Sequence, residues 1–264
     1  EPTIRRDFFD LLKACHAAGL KIGVQTNGRQ FYSHEFCQKL QDCGTPNFVI
    51  ALHGPNAQIH DAISRRKNSF DQTCQGIKNL CQAGHQVTGK LVISRINAQH
   101  LVETMELMAS LGITNACFAF PHGHGNARIN YPEIAPRYSE IRTEIDRLTR
   151  SAAAMDFALS LEAFPLCALN DPQYVVEFQY LLPGHRLCIP SNSEEYDWDV
   201  KRPLDKTKFL QCRNCSCNPY CEGPWKEYPE TFGDKEFQAM TPDKLMDLLA
   251  IGAARETFGE KCLP

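Results

Sequence analysis

Residues 21–54 read "KIGVQTNGRQFYSHEFCQKLQDCGTPNFVIALHG". The segment opens with a buried-strand pattern, "KIGVQT" at 21–26, which stops at Asn27 and Gly28. It closes with a second such pattern, "NFVIALH" at 47–53, entered through "GTP". Between them, Phe36 and Leu40 fall at helical spacing within residues 33–43. A strand, a helix and a second strand form the repeating unit of a parallel sheet, because parallel neighbours need a crossover of about a dozen residues or more.

The alternation extends in both directions. Upstream, Phe8, Leu11, Leu12 and Cys15 form a helical stripe over 4–18, with Asp7 near its start. Downstream, a long loop over 54–70 leads to a helix over 70–83 that carries Cys74, Ile77, Leu80 and Cys81 on one face. A strand over 87–96, a helix over 99–110 and a strand over 115–120 follow. The pattern predicts an α/β chain with a mostly parallel sheet or barrel. Polar or glycine residues follow each strand: Thr26, Asn27 and Gly28; His53 and Gly54; Ser94 and Asn97; Pro121, Gly123 and Gly125. In parallel sheets and barrels ligands bind at the carboxyl ends of strands, so these positions are expected to surround one site.

Beyond Gly125 the pattern changes. A helix over 136–153 and a short strand over 157–162 precede a stretch rich in Pro, Asn and Asp that runs to residue 235. A last helix over 242–256 starts at Thr241 and Pro242. The chain is therefore expected to divide into a barrel-like region, 1–155, and a loop-rich region, 156–264. So little apolar surface in the second region calls for a staple.

Four cysteines, Cys212, Cys215, Cys217 and Cys221, lie in "QCRNCSCNPYCEGPW" at 211–225. Cys212 and Cys215 sit on one tight turn, and Cys221 is near enough to face the same metal from a second loop. Cys217, Cys167 in "FPLCAL" or Cys188 in "RLCIPS" is available as a fourth ligand. A set of four thiolates suits either zinc or an iron-sulfur cluster, and spacing does not choose between them. Cys15, Cys74, Cys81 and Cys117 read as small buried hydrophobes, and His122 and His124 of "PHGHG" as loop residues. Thirteen cysteines scattered through helices and strands are not spaced like a disulfide scaffold, which points to a reducing cytoplasm. A net charge of −3 with 22% charged residues gives no reason to expect nucleic acid. No apolar run approaches the roughly 20 residues of a membrane helix.

The stretch "EPTIRRDFFDLLKACHAAGLKIGVQTNG" resembles radical S-adenosylmethionine (SAM) enzymes, in which Gly-Gly-Glu-Pro ends strand two and Thr-Asn-Gly ends strand three. "VIALHGPNAQIHDAISRRKNSFDQTCQGIKNLCQAG", "VISRINAQHLVETMELMASLG" and "FAFPHGHGNA" continue the resemblance in order, over about residues 1–127. It implies a partial (βα) barrel showing strands three to six, followed by a small loop-rich extension with a cysteine cluster. "CRNCSCNPYCEGPW" is similar to the auxiliary-cluster domains called SPASM or twitch. The full SPASM pattern has a further cysteine where this chain has Trp225. The resemblance thus implies one auxiliary 4Fe-4S cluster, on Cys167, Cys212, Cys215 and Cys221.

By the same resemblance Glu1 would accept a hydrogen bond from the SAM amino group. Thr26, Asn27, His53, Ser94 and Asn97 would line the sulfonium, ribose and carboxylate side, and the backbone near Phe120 and Pro121 would meet the adenine. The reaction implied is reductive cleavage of SAM to a 5'-deoxyadenosyl radical, which abstracts hydrogen from a peptide or small-molecule substrate. The electron donor would be a flavodoxin or ferredoxin. The family's Cys-x3-Cys-x2-Cys loop for the SAM-binding 4Fe-4S cluster does not occur in this sequence. The expectation is an enzyme truncated at its N-terminus, inactive as the chain stands, with no catalytic residue of its own in this fragment and with the edge of "KIGVQT" prone to aggregation. The alternative is a zinc-stapled or catalytically dead α/β binding module.

Overall fold

The computed structural model describes residues 1–176 and 202–257, together with the two-residue strands Leu187–Cys188 and Tyr196–Asp197 between them. Five strands form one sheet: β1 (Gly23–Thr26), β2 (Asn47–Ala51), β3 (Val87–Val92), β4 (Asn115–Ala119) and β5 (Ala158–Glu162). Their order in the sheet is their order in the chain. Sequential order is the signature of a barrel wall, whereas a doubly wound sheet reverses direction at a switch point. β1 pairs parallel with β2, Val24 facing Phe48, and β2 pairs parallel with β3, Ile50 facing Gly89. The expected α/β fold of the partial-barrel type is present.

Strand composition explains the burial. Val24, Phe48, Ile50, Leu52, Leu91 and Ile93 are all nearly inaccessible, as befits strands covered by crossover helices. The helices α1 (Phe8–Ala17), α2 (His34–Gln38), α3 (Ala57–Ser64), α4 (Ser69–Gln82) and α5 (Leu101–Ser110) supply the cover. From α4, Ile77 and Leu80 are fully buried, as are Met105 and Met108 from α5. Two glycines set how closely the helices approach. A Cβ on Gly89, in the middle of β3, would overlap the Met108 sulfur at 2.5 Å. A Cβ on Gly76 of α4 would overlap the Gly28 carbonyl, so α4 lies directly on the turn that ends β1.

Several expected boundaries shift. The loop over 54–70 contains α3, whose start is capped by the Asn56 side chain accepting from the Ile59 N–H at 3.1 Å. Only Ile59 and His60 of α3 are buried, too few for a visible apolar stripe. β3 ends at Val92, because the carbonyl of that residue accepts from the Asn97 side chain at 3.0 Å and the chain turns. The helix expected over 33–43 is helical only through Gln38 and then continues as turns. α1 begins at Phe8, since Asp7 pairs with Arg5 at 2.8 Å and makes no side-chain cap.

By internal contacts the chain forms two units. One comprises residues 1–118 with 147–159, the other 119–146 with 160–263. The second holds two short helices, α6 (Asn126–Ile129) and α7 (Tyr131–Ile134), and the cysteine-rich loops. Its core is aromatic: Tyr138 stacks on Phe120 at 4.2 Å and lies 4.4 Å from Tyr228, and Phe237 stacks on Phe209 at 4.8 Å. Such pairs contribute about 0.5–1.5 kcal/mol each beyond their buried area. Gly76→Ala tests the helix-on-turn contact in the first unit. We expect a loss of about 1–3 kcal/mol, the usual range for overpacking, in chemical denaturation; a loss below about 0.5 kcal/mol would show that the approach is not tight.

Candidate functional site

At the end of β1 the Glu1 carboxylate collects four donors. Its Oε1 accepts from the Thr3 N–H at 3.1 Å, the Thr3 hydroxyl at 2.6 Å and the Thr26 hydroxyl at 2.7 Å. Its Oε2 accepts from the Asn27 N–H at 2.8 Å. Burial by itself would raise this carboxyl, but the Asn27 N–H together with Thr3 and Thr26 holds it below the usual range. The group is therefore an anion at neutral pH. Oε1 has more donors than its two lone pairs serve well, while Oε2 retains capacity for one more N–H.

The turn itself is fixed from several sides. Thr26 Oγ1 accepts from the Gly28 N–H at 3.1 Å, and Asn27 Oδ1 accepts from the Arg29 N–H at 2.9 Å. The Thr73 hydroxyl of α4 donates to the Asn27 carbonyl at 2.9 Å. Gly28 has φ +74, and a side chain there would also strike Ile50 at 2.9 Å, so the position requires glycine. An open cleft of about 280 Å³ beside this turn is lined by Glu1, Asn27, Arg29, Gln30, Tyr32 and Gln72 among others. Arg29 Nε donates to Gln72 Oε1 at 2.8 Å across its wall. Sequence reasoning missed Arg29, Gln30 and Gln72. The first two follow the Asn27-Gly28 turn, which was a usable signal, but Gln72 lies on α4 and no strand-end rule points to it.

The loops after β2 and β3 are tied together by one side chain. Asn97 is fully buried, and its Nδ2 donates to the carbonyls of His53 and Val92, each at 3.0 Å. Its Oδ1 accepts from the Ser94 N–H at 2.7 Å and the Ser94 hydroxyl at 3.3 Å. All four hydrogen-bonding positions of the amide are thus occupied within the chain, so Asn97 holds the loops in place. The His53 N–H donates to Nδ1 of buried His60 at 3.1 Å. Burial first, then the His53 neighbour, pulls His60 down to about 4, and burial lowers His53 as well. The expected positions Glu1, Thr26, Asn27, His53, Ser94 and Asn97 therefore sit at the carboxyl ends of β1, β2 and β3 or on the loops following them.

Phe120 and Pro121 lie in the second unit. The Phe120 N–H donates to the Glu162 carbonyl at 2.9 Å, and the Pro121 carbonyl accepts from the Tyr131 hydroxyl at 3.2 Å. These two backbone groups have partners in the chain, and the Phe120 ring belongs to the aromatic core.

In this unit burial pushes the Cys167 thiol up to about 11, and Cys221, Cys212 and Cys215 act on it in the same direction. Each receives backbone polarity. The Phe209 N–H donates to Cys212 Sγ at 3.4 Å and the Met240 N–H to Cys215 Sγ at 3.3 Å. The backbone of Gln238 favours the Cys167 thiolate, and that of Leu166 and Gly223 favours the Cys221 thiolate. Cys217 differs: it is fully buried, and burial pushes it up to about 11, with Cys215 and Cys221 adding and no backbone group opposing. The side chain of Cys188 lies outside the described residues.

The spacing of the sulfurs bears on the kind of metal. Four thiolates on one tetrahedral zinc, at Zn–S about 2.3 Å, stand only about 3.8 Å apart. Among the described residues, no three of these cysteines bring their Sγ atoms within 4.8 Å of one another. A cubane binds each thiolate through a different iron and holds them further apart, and a set of four thiols has the donor chemistry it needs.

Comparison with known proteins follows the same lines. Residues 1–108 match the radical SAM superfamily. The AdoMet-dependent heme synthase of Methanosarcina barkeri is 29% identical over 128 residues, 48% of this chain and 36% of that protein. The mycofactocin maturase MftC of Mycolicibacterium smegmatis is 34% identical over 115 residues, 43% of this chain and 29% of that protein. The PqqA peptide cyclase of Ruegeria pomeroyi is 26% identical over 163 residues, 60% of this chain and 43% of that protein. This chain thus spans well under half the length of these curated relatives. Among solved structures, Streptococcus suis SuiB bound to S-adenosylmethionine superposes with a TM-score of 0.60 at 16% identity, covering 91% of this chain and 64% of that one. The complex of anSMEcpe with AdoMet and the Kp18Cys peptide gives 0.55 at 10% identity, covering 94% of this chain and 80% of that one. At these identities the likeness is one of fold.

Two measurements test the anchoring described here. Thr26→Val removes one donor from the Glu1 carboxylate; we expect a loss of about 1–3 kcal/mol in denaturation and faster amide exchange at Asn27 and Gly28. Exchange unchanged at both amides would refute the tie. The low His60 value means that between pH 6.5 and about 4 the unfolded chain binds a proton that the folded one does not. Stability should therefore fall as pH drops through that window, and the slope should be shallower in His60→Gln. Equal slopes would refute the coupling.

Proposed function

We propose that this chain is part of a radical SAM enzyme that acts on a peptide, with SAM held by the loops after β1, β2 and β3. The observation that carries the reading is the ionised Glu1 carboxylate, fixed on the Thr26-Asn27 turn with one acceptor position left on Oε2. An ammonium group is the natural partner for that position. Asn97 keeps His53 and Ser94 in a fixed relation, so the groups facing a ligand are set before it binds.

In this reading residues 1–155 serve SAM and residues 156–264 form the auxiliary region. Cys167, Cys212, Cys215 and Cys221 hold one auxiliary 4Fe-4S cluster, and Cys217 is packing. The N–H groups of Phe209 and Met240 stabilise thiolate charge there, as outer-shell donors do around metal sites. When bound, SAM and its reduced 4Fe-4S cluster supply a 5'-deoxyadenosyl radical that abstracts hydrogen from the substrate. The chain's own residues orient SAM and keep water from it. A peptide substrate is favoured because the PqqA peptide cyclase is among the relatives, and because SuiB with its precursor peptide and anSMEcpe with a peptide share the fold. A flavodoxin or ferredoxin would deliver the electron. No helix among the described residues is long and apolar enough to cross a membrane; the scattered cysteines favour a cytoplasmic enzyme.

Anaerobic reconstitution tests the cluster. The chain should turn brown, absorb broadly near about 400 nm and bind about four iron and four sulfide. Cys167→Ser and Cys215→Ser should each lower the iron content, while Cys217→Ser should retain it. A colourless protein with stoichiometric zinc would instead establish the zinc-stapled module, and loss of iron in Cys217→Ser but not in Cys167→Ser would overturn the ligand set.

A further inference from the structure

The loop after β4 carries His122 and His124 at alternate positions, with Gly123 and Gly125 interleaved. A side chain on Gly123 would collide with Glu227, and Gly125 has φ +57, so both glycines are needed for the loop to fold back on itself. The two imidazoles then approach to 3.7 Å between centroids at 70°. Asp205 arrives at the end of the 3-10 turn Arg202–Asp205. One donor atom from each of His122, His124 and Asp205 lies within 4.8 Å of the other two, and among the described residues no other trio of His, Cys, Asp or Glu meets that limit.

Three further observations point to a ligand. His122 Nε2 is buried without a hydrogen-bond partner. Oε2 of Glu227 is equally without one, and its Oε1 stands 3.9 Å from that nitrogen, too far for a hydrogen bond. Leaving such atoms unsatisfied costs about 1–3 kcal/mol each, a cost that a bound cation removes. The His122 ring is held in place by Trp225, stacked at 3.8 Å and 11°, with the Lys206 ammonium 3.6 Å from the centre of the Trp225 ring. Charge agrees with this. Glu222 faces Arg202 at 3.2 Å and Lys206 at 3.8 Å, and the carboxylates of Asp205, Glu222 and Glu227 outnumber those two cations by one.

From this geometry we propose that His122, His124 and Asp205 bind one divalent first-row transition-metal ion, of the Zn(II) type, separate from the cysteine group. Two imidazoles and a carboxylate form a donor set that suits zinc and its neighbours. Glu227 stands beside the trio, its Oε1 3.9 Å from His122 Nε2, without belonging to it. Three protein donors leave a position open, and His124 is exposed, so an oxygen or nitrogen donor from outside the chain can reach the metal.

The test is Zn(II) titration of the untagged full chain, reconstituted with iron, in competition with a chromophoric chelator. One zinc equivalent should bind beyond the metal on the cysteines. His124→Ala removes an exposed side chain and should leave circular dichroism unchanged. It and Asp205→Asn should each weaken that equivalent at least about tenfold, the lower end of what losing even an outer-shell partner costs. Cys215→Ser should leave the equivalent in place whatever becomes of the iron, so this site and the proposed cluster are judged separately. Zinc affinity unchanged in both His124→Ala and Asp205→Asn would overturn the proposal. So would an equivalent lost with Cys215→Ser alone, or no zinc bound below about 10 μM, the affinity corresponding to roughly 7 kcal/mol.

Discussion

Parallel pairing of β1, β2 and β3 in chain order points every carboxyl end the same way, and the first unit is organised around that fact. A parallel strand cannot turn directly back, so each is followed by a loop and a covering helix before the next begins. The loops therefore gather at one edge of the sheet, where their backbone groups lack ladder partners. What satisfies those groups decides how rigid the edge becomes.

Two side chains provide most of that satisfaction. At the end of β1 the Glu1 carboxylate binds the Thr26 hydroxyl and the Asn27 N–H, while Thr73 reaches the Asn27 carbonyl from α4. After β2 and β3 the Asn97 amide bonds both loops at once. The first anchor is charged and keeps one acceptor position open; the second is neutral and saturated. A saturated buried amide contributes order, because every alternative arrangement would leave one of its atoms unpaired. Gly76 and Gly28 make the arrangement sterically possible by letting α4 rest on the turn.

The second unit solves a different problem. Its loops are long and its core is a small set of aromatic rings, so packing alone offers limited stability. Thiols collected from Leu166–Ala168 and from 212–221 lie where backbone N–H groups already point. At Cys167 the Gln238 backbone, and at Cys221 the Leu166 and Gly223 backbones, favour thiolate over thiol against the burial that raises both. Metal bound by the proposed ligand set would relieve the opposition, since the thiolate charge would be shared with it.

The strands, the long helices and the cysteine spacing were legible in the sequence because each is a local pattern: apolar periodicity for the elements, a tight turn for Cys212 and Cys215. Short α3 was not, since only Ile59 and His60 are buried and its start depends on the Asn56 cap. Neither was the difference between Ser94 and Asn97, or between Cys167 and Cys217. Spacing favoured Cys217 as much as any neighbour, and only the structure shows that it is fully buried with no backbone group favouring its thiolate, whereas the Gln238 backbone favours that of Cys167. His122 and His124 read as loop residues until Asp205, from a distant turn, came within reach of both. The sequence by itself determined which segments form strands and helices and which residue types end them, because those preferences act over a few residues. Tertiary structure alone decided which donor meets which acceptor, because that depends on atoms brought together across the chain.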